Sequence, residues 1–177
     1  TCALPISYNG VLDANLPLGA DVVVSGLGVI GQLVTRLVAK GGARRVIATD
    51  TIEYRRNLAI EGGATQVLDP STDRIAERVR DLTDGRGADC VIEVSGSSKA
   101  LNEAIRTTGF NGLVVAMSWY GGSFDELSLS GEFHHNRPRI ISSQVAVTNP
   151  FLGPLWSAER RSEIALEYLE GFSDDLR

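Results

Sequence analysis

Asp21-Val22-Val23-Val24-Ser25-Gly26-Leu27-Gly28-Val29-Ile30-Gly31 passes from a β-branched run through a glycine turn into the start of a helix. Three successive valines suit a strand covered on both faces, as at the centre of a parallel sheet, better than a half-solvated one. Beyond the turn, Ile30, Leu33, Val34, Leu37 and Val38 recur at helical spacing until Gly41-Gly42 stops the run. The stretch therefore predicts strand, tight turn and helix between Asp21 and Lys40.

Working outward, the same rhythm repeats. Val46-Ile47-Ala48 reads as a second strand ending at Asp50, followed by a helix over Ile52 to Glu61 that Gly62-Gly63 breaks. Gln66-Val67-Leu68 is a weak third strand, and Pro70-Ser71 opens a helix with Ile75, Ala76 and Val79 on one face. Cys90 to Val94 predicts the fourth strand, Lys99 to Thr107 a helix, and Leu113 to Met117 the fifth strand. Strands alternating with helices predict an α/β fold, a doubly wound, mostly parallel sheet with right-handed crossovers. After Met117 the rhythm changes: Phe124 to Ser130 and Arg139 to Ser143 read as two further strands, and Ala158 to Leu169 as a last helix. On that helix Arg160 and Arg161 with Glu163 and Glu167 offer charge pairs at helical spacing. Tyr8 to Ala14 reads as a leading helix. The expected organisation is a leading segment over 1–16, a nucleotide-binding Rossmann domain over 17–150, and a closing helical segment over 151–177.

The bulk properties fit one soluble domain of this kind. A chain of 177 residues can bury a real core and is short for two domains. A net charge of -5 argues against a nucleic-acid partner or an anionic membrane surface. No apolar run reaches the ~20 residues that span a bilayer. Cys2 and Cys90 form no CxxC pair, so neither a disulfide framework nor a zinc knuckle is expected, and a cytoplasmic location is the default. The chain begins with Thr1 instead of Met, and Thr1-Cys2-Ala3-Leu4-Pro5-Ile6 coincides with the translation of a common sequencing adapter. Those six residues are expected to be foreign to the natural protein.

Gly26-Leu27-Gly28-Val29-Ile30-Gly31 is a GxGxxG in its required context, with a buried strand before it and a helix after it. Gly26 permits the tight turn, Gly28 lets the backbone approach a diphosphate, and Gly31 lets helix and strand pack closely. The N–H groups around Val29 and Ile30 open the helix and face the anion. Asp50, about 20 residues further on, is placed to accept hydrogen bonds from the adenosine ribose hydroxyls. It favours NAD over NADP, because a 2′-phosphate would meet its carboxylate. Its plainer role would be a helix cap ahead of Thr51-Ile52. Arg55 and Arg56 temper the cofactor choice, since an arginine at this corner accommodates a 2′-phosphate.

Ser95-Gly96 ends the fourth strand, on the side where open α/β sheets bind ligands. Met117-Ser118-Trp119, ending the fifth, is a candidate for the nicotinamide end, with ordinary core and loop as the plainer reading. His134-His135 supplies no third ligand and reads as loop histidines in place of a metal site. Cys90 reads as a small core residue, and Glu93 is an unexplained charge inside an apolar strand.

The glycine turn, Val46-Ile47-Ala48-Thr49-Asp50 with Arg55, and Asp89-Cys90-Val91-Ile92-Glu93-Val94-Ser95-Gly96 resemble the zinc-type medium-chain alcohol and polyol dehydrogenases. The similarity runs from about Tyr8 to the end of the chain. The stretch Gly131-Glu132-Phe133-His134-His135-Asn136-Arg137, with Ile140-Ile141-Ser142-Ser143-Gln144, resembles a bacterial branch near threonine and sorbitol dehydrogenases. The resemblance implies the cofactor half of a two-domain oxidoreductase acting on CH–OH groups, with a small-molecule alcohol or polyol substrate. It implies a catalytic zinc held by another domain, and so neither catalytic nor metal-binding residues here and no activity of this chain alone. It also implies a homo-oligomer formed edge to edge, for which Phe124 to Ser130 is the candidate strand. Two other readings stand beside it: a stand-alone NAD-sensing module, and an S-adenosylmethionine-dependent methyltransferase. The third glycine, with no antiparallel hairpin evident at the sheet's end, favours a dinucleotide over the latter.

Overall fold

The structure, a computed structural model, describes residues 3–147 and 149–172. Six parallel strands form one sheet: β1 (Asp21–Ser25), β2 (Arg45–Thr49), β3 (Gln66–Leu68), β4 (Ala88–Glu93), β5 (Thr108–Ala116) and β6 (Arg139–Ser142). Their order across the sheet is β3-β2-β1-β4-β5-β6, so the direction of winding reverses between β1 and β4. That reversal opens a crevice at the carboxyl ends of those strands, where such sheets bind ligands. The helices are α1 (Ala3–Ala14), α2 (Val29–Lys40), α3 (Glu53–Glu61), α4 (Ile75–Leu82), α5 (Ser98–Thr107), α6 (Glu132–Asn136) and α7 (Ala158–Phe172).

The apolar strands are covered on both faces, and the alternation is visible residue by residue. Val22, Val24, Ala48, Cys90, Ile92 and Val115 face a cluster that includes Val34 and Val38 of α2. Val23, Ile47, Val91 and Val114 face the other side, against Ile75 and Val79 of α4 and Leu101 and Ala104 of α5. Each of those strand side chains is essentially inaccessible, and burying one of that size stabilises by roughly 1.5–3 kcal/mol. A smaller third cluster joins α1, α2 and α7 through Leu4, Tyr8, Leu33, Leu37, Ala165 and Phe172. No described helix is long and apolar enough to cross a membrane.

Several expectations change. Phe124–Ser130 is not a strand: Leu127 N donates to Phe124 O at 2.9 Å in a local turn, and Ser128 N to the distant Asn102 side chain at 2.9 Å. The place beside β5 belongs to β6, which leaves β6 and β3 as the two open edges. β5 starts at Thr108, earlier than the sequence suggested, because an irregularity in its pairing with β4 absorbs the residues around Gly109 and Gly112. The two histidines lie on the short helix α6, not in a loop. Helix α1 begins at Ala3, earlier than the Tyr8 start that the sequence suggested, with Leu4 buried in the third cluster. Arg161 turns inward instead of pairing along α7, donating to Asn9 Oδ1 (2.5 Å) and Val145 O (2.6 Å). Arg160 lies over the Trp156 ring, 4.6 Å from its centre.

At the amino end of β1, away from the crevice, the buried Asp21 accepts from Arg44 (2.7 Å), Arg45 (3.2 Å) and Arg86 (3.1 Å). Burial pushes its carboxyl up, but the Arg44 hydrogen bond and the three cationic charges outweigh that and hold it below the ordinary aspartate value. A depressed folded-state pKa gives stability that is present above the unfolded value near 4 and lost as pH falls through the folded value. Asp21→Asn should therefore lower stability at pH 7 by about 2 kcal/mol, a modest figure because the arginines are partly solvated. It should also flatten the loss of stability below about pH 4. Urea denaturation at pH 7 and pH 3 checks both, and an unchanged difference between the two pH values would refute the role given to Asp21.

Candidate functional site

A cleft of about 740 Å³ lies at the carboxyl end of the sheet, bounded by the β1–α2 turn, the end of β2 and the β4–α5 loop. Gly26, Gly28, Asp50, Arg55 and Ser95 all line it, so five of the predicted site residues converge. Gly26 has φ +93°, and a Cβ there would lie 2.8 Å from Ser95 Cα. Gly31 is closed by the fold itself, with the position of its missing Cβ 1.9 Å from Gly26 O. Gly28 differs: nothing lies within 4 Å of where its Cβ would stand. It is the N-cap of α2, and no side chain caps that helix. The first turn therefore presents donors towards open space, which suits a diphosphate. Val29 is exposed at the first helical position, whereas Ile30 packs against the core, so it is Ile30's backbone and not its side chain that belongs to the turn.

Asp50 is 8% exposed. Its Oδ2 accepts from Leu27 N inside the glycine turn at 2.8 Å, and its Oδ1 from Ile52 N at 2.8 Å. The carboxylate thus fixes the turn as well as facing the cleft. The helix-cap reading fails in detail, since α3 starts at Glu53 with Ile52 as an N-cap that has no side-chain bond. Arg55 Nη1 stands 3.5 Å from Asp50 Oδ2 and remains 44% exposed. Arg56 is held away, bonded to Asp50 O at 2.7 Å and to Asp69 at 3.0 Å.

Gly96, φ +76°, turns the chain beneath the Trp119 carbonyl and does not line the cleft. Met117 departs from expectation. Its sulfur fills the space beside Gly10 of α1, where a Cβ would lie 2.2 Å away, and the side chain packs against the core. The first element past β5 that stands in solvent is Trp119, 92% exposed.

Sequence reasoning left Glu93 unexplained and passed over Tyr120 and Ser97. Glu93 is fully buried at the end of β4. Ser95 N donates to its Oε1 at 2.7 Å, the Ser95 hydroxyl donates to the same oxygen, and Tyr120 Oη donates to its Oε2. Burial, then the Glu93 charge, push the Tyr120 hydroxyl above the ordinary tyrosine range, so it stays a proton donor. Ser97 caps α5, accepting from Ala100 N at 3.3 Å. Ser97 followed by a helix start was a legible cap signal; Tyr120 left none, because 27 residues separate it from Glu93. Burial pushes the Cys90 thiol up to about 12, so it is inert as a nucleophile.

Among the described residues no three His, Cys, Asp or Glu side chains converge on a point that could hold a metal. The two histidine rings stand edge to face, 5.5 Å apart, both exposed on α6. No cluster among the described residues fits a zinc ion, whereas the turn, its open helix start and Asp50 do fit a dinucleotide.

The model of the zinc-binding dehydrogenase family matches residues 29–160. The chain is 35% identical over 164 residues to D-guloside 3-dehydrogenase of Escherichia coli K12, covering 92% of this chain and 47% of that protein. It is 33% identical over 147 residues to scyllo-inosose 3-dehydrogenase of Thermotoga maritima, covering 78% of this chain and 36% of that protein. Among solved structures, one of a Sinorhizobium meliloti protein described as a zinc-binding dehydrogenase and bound to NADP superposes with TM-score 0.76 at 26% identity. It covers 92% of this chain and 46% of that one. The chain spans about half the length of the curated relatives it matches. With its parallel β3-β2-β1-β4-β5-β6 sheet, its glycine turn and this match over most of its length, the chain belongs to the zinc-binding dehydrogenase family.

Proposed function

We propose that the chain is the cofactor-binding part of an NAD-dependent, zinc-type dehydrogenase acting on the CH–OH group of an alcohol or polyol, with 17–150 as the nucleotide-binding domain. The observation that carries this is the buried Asp50 carboxylate, which is bonded to the glycine turn and faces the cleft at the end of β2. Bound there, the nicotinamide would accept or return the hydride of the substrate carbon. The residues of this chain bind and orient: the turn takes the diphosphate, Asp50 the ribose hydroxyls, and the β4–α5 loop forms the facing wall. The names of the relatives support a sugar or polyol as substrate class. NAD is preferred to NADP because a 2′-phosphate would approach Asp50, and because Asp69 draws Arg56 away.

Thermal denaturation of the purified chain with each cofactor tests this. NAD at one hundred times its Kd should stabilise by roughly 2.7 kcal/mol, with NADP needing higher concentrations. No response to either would overturn cofactor binding, and a stronger response to NADP would overturn the choice of NAD.

For the homo-oligomer that the family resemblance implies, β6 replaces Phe124–Ser130 as the pairing edge. Its outer residues are exposed, Ile140 among them, and an unpaired edge favours pairing with a second strand. Ile140→Lys should shift the sedimenting species from dimer towards monomer. A wild-type chain that sediments as a monomer at tens of micromolar would remove the proposal.

A further inference from the structure

Glu93 is a carboxylate with no accessible surface, and none of the ion pairs among the described residues involves it. Burying such a charge costs several kcal/mol, and three neutral donors offset only part of that. An apolar residue would serve the core of β4 better, so the carboxylate is a poor choice for the fold alone. Its position offers another reason. In register across the sheet, Glu93 lies between Ser25 of β1 and Ala116 of β5, in the last layer before the crevice.

Two loops leave the sheet from this layer. One side of the carboxylate holds the loop after β4 through Ser95, whose hydroxyl accepts in turn from Ser97 N at 3.1 Å. The other side holds the loop after β5 through Tyr120. Ser95 is the residue that stands against Gly26, leaving no room there for a side chain. The backbone repeats the connection, Met117 N donating to Glu93 O at 2.9 Å. A continuous chain of bonds thus runs from Tyr120 through Glu93 and Ser95 to Ser97 at the start of α5.

We infer that Glu93 is a positioning residue for the dinucleotide: it locks the loop after β5 to the loop after β4 and so sets the cleft wall against the glycine turn. This rests on the cofactor reading given above. A wall locked before binding leaves less ordering to be done when the cofactor enters, and so raises affinity. Loosening the lock from either side should weaken binding by the same amount, because both sides act through one carboxylate.

The experiment is a double-mutant cycle read by calorimetric titration of NAD into the chain, using Glu93→Gln, Tyr120→Phe and the double variant. Melting temperature without ligand is measured for each. Each single variant should raise the Kd for NAD about tenfold, and the double variant should also stay near tenfold instead of reaching a hundredfold. Glu93→Gln should not lower the ligand-free melting temperature in step, since it removes a buried charge. If Glu93→Gln fails to fold, Tyr120→Phe carries the test alone through the same tenfold loss. Variants that melt lower yet bind NAD as the parent does, or losses that multiply, would overturn the positioning role and leave the cofactor reading intact. Failure of the parent chain to bind NAD or NADP would overturn both.

Discussion

Gly31→Ala should lower the stability of the chain by roughly 3 kcal/mol and remove cofactor binding with it, whereas Gly28→Ala should leave stability unchanged and remove binding alone. The two glycines stand three residues apart in one motif but do different work. At Gly31 the position of a Cβ is 1.9 Å from Gly26 O and 3.2 Å from a methyl of Val94. The nearer atom is backbone, so relief requires the turn to move away from α2, and with it the donors at the helix start. At Gly28 the same construction meets open space, and its φ of -67° is one that alanine adopts readily. A methyl there changes nothing in the free chain but occupies the surface on which a diphosphate would rest. Urea denaturation and NAD titration of both variants separate the two effects. Equal stability losses at the two positions would show that the glycines serve only the fold.

Asp50→Ala should weaken NAD binding by roughly ten- to a hundredfold, the range expected when a charged acceptor of hydroxyl hydrogen bonds is lost. It should also lower stability by about 2 kcal/mol, because Leu27 N, bonded to Oδ2 inside the protein, is left without its acceptor. Asp50→Asn keeps a neutral acceptor and removes the charge that would repel a 2′-phosphate, so the preference for NAD over NADP should fall further than stability does. The decisive quantity is the ratio of the two dissociation constants. If Asp50→Asn leaves that ratio unchanged, the carboxylate organises the turn and does not select the cofactor.

Much of this protein was legible one residue at a time. Val22 to Val24, Val46 to Ala48 and Cys90 to Ile92 are apolar without interruption because helices cover both faces of the sheet, and an uninterrupted run is what burial on both faces requires. The glycine turn was readable because Gly26 and Gly31 answer local steric demands between a strand and a helix, and Asp50 because its distance from the turn is fixed by one helix and one strand.

The misread residues answer to contacts distant in sequence. Phe124 to Ser130 read as a strand, yet Leu127 N bonds back to Phe124 O, Ser128 N bonds to Asn102, and β6 takes its place in the sheet. Met117 sits at the end of a strand, where a ligand contact was expected, but the absence of a side chain at Gly10 draws it under α1. Arg161 carries the pattern of a solvated helix, and its buried partners are Asn9 and the carbonyls that precede the helix. Glu93 looked anomalous because Tyr120 comes to it only when β4 and β5 lie side by side. The sequence by itself determined the alternation, the turn and the acidic residue beyond it, since these follow from periodicity and local sterics. Which edge stays open, which polar side chain is buried and which residue faces the cleft were decided by tertiary structure, because a buried polar group must find its partner wherever the packed chain brings one.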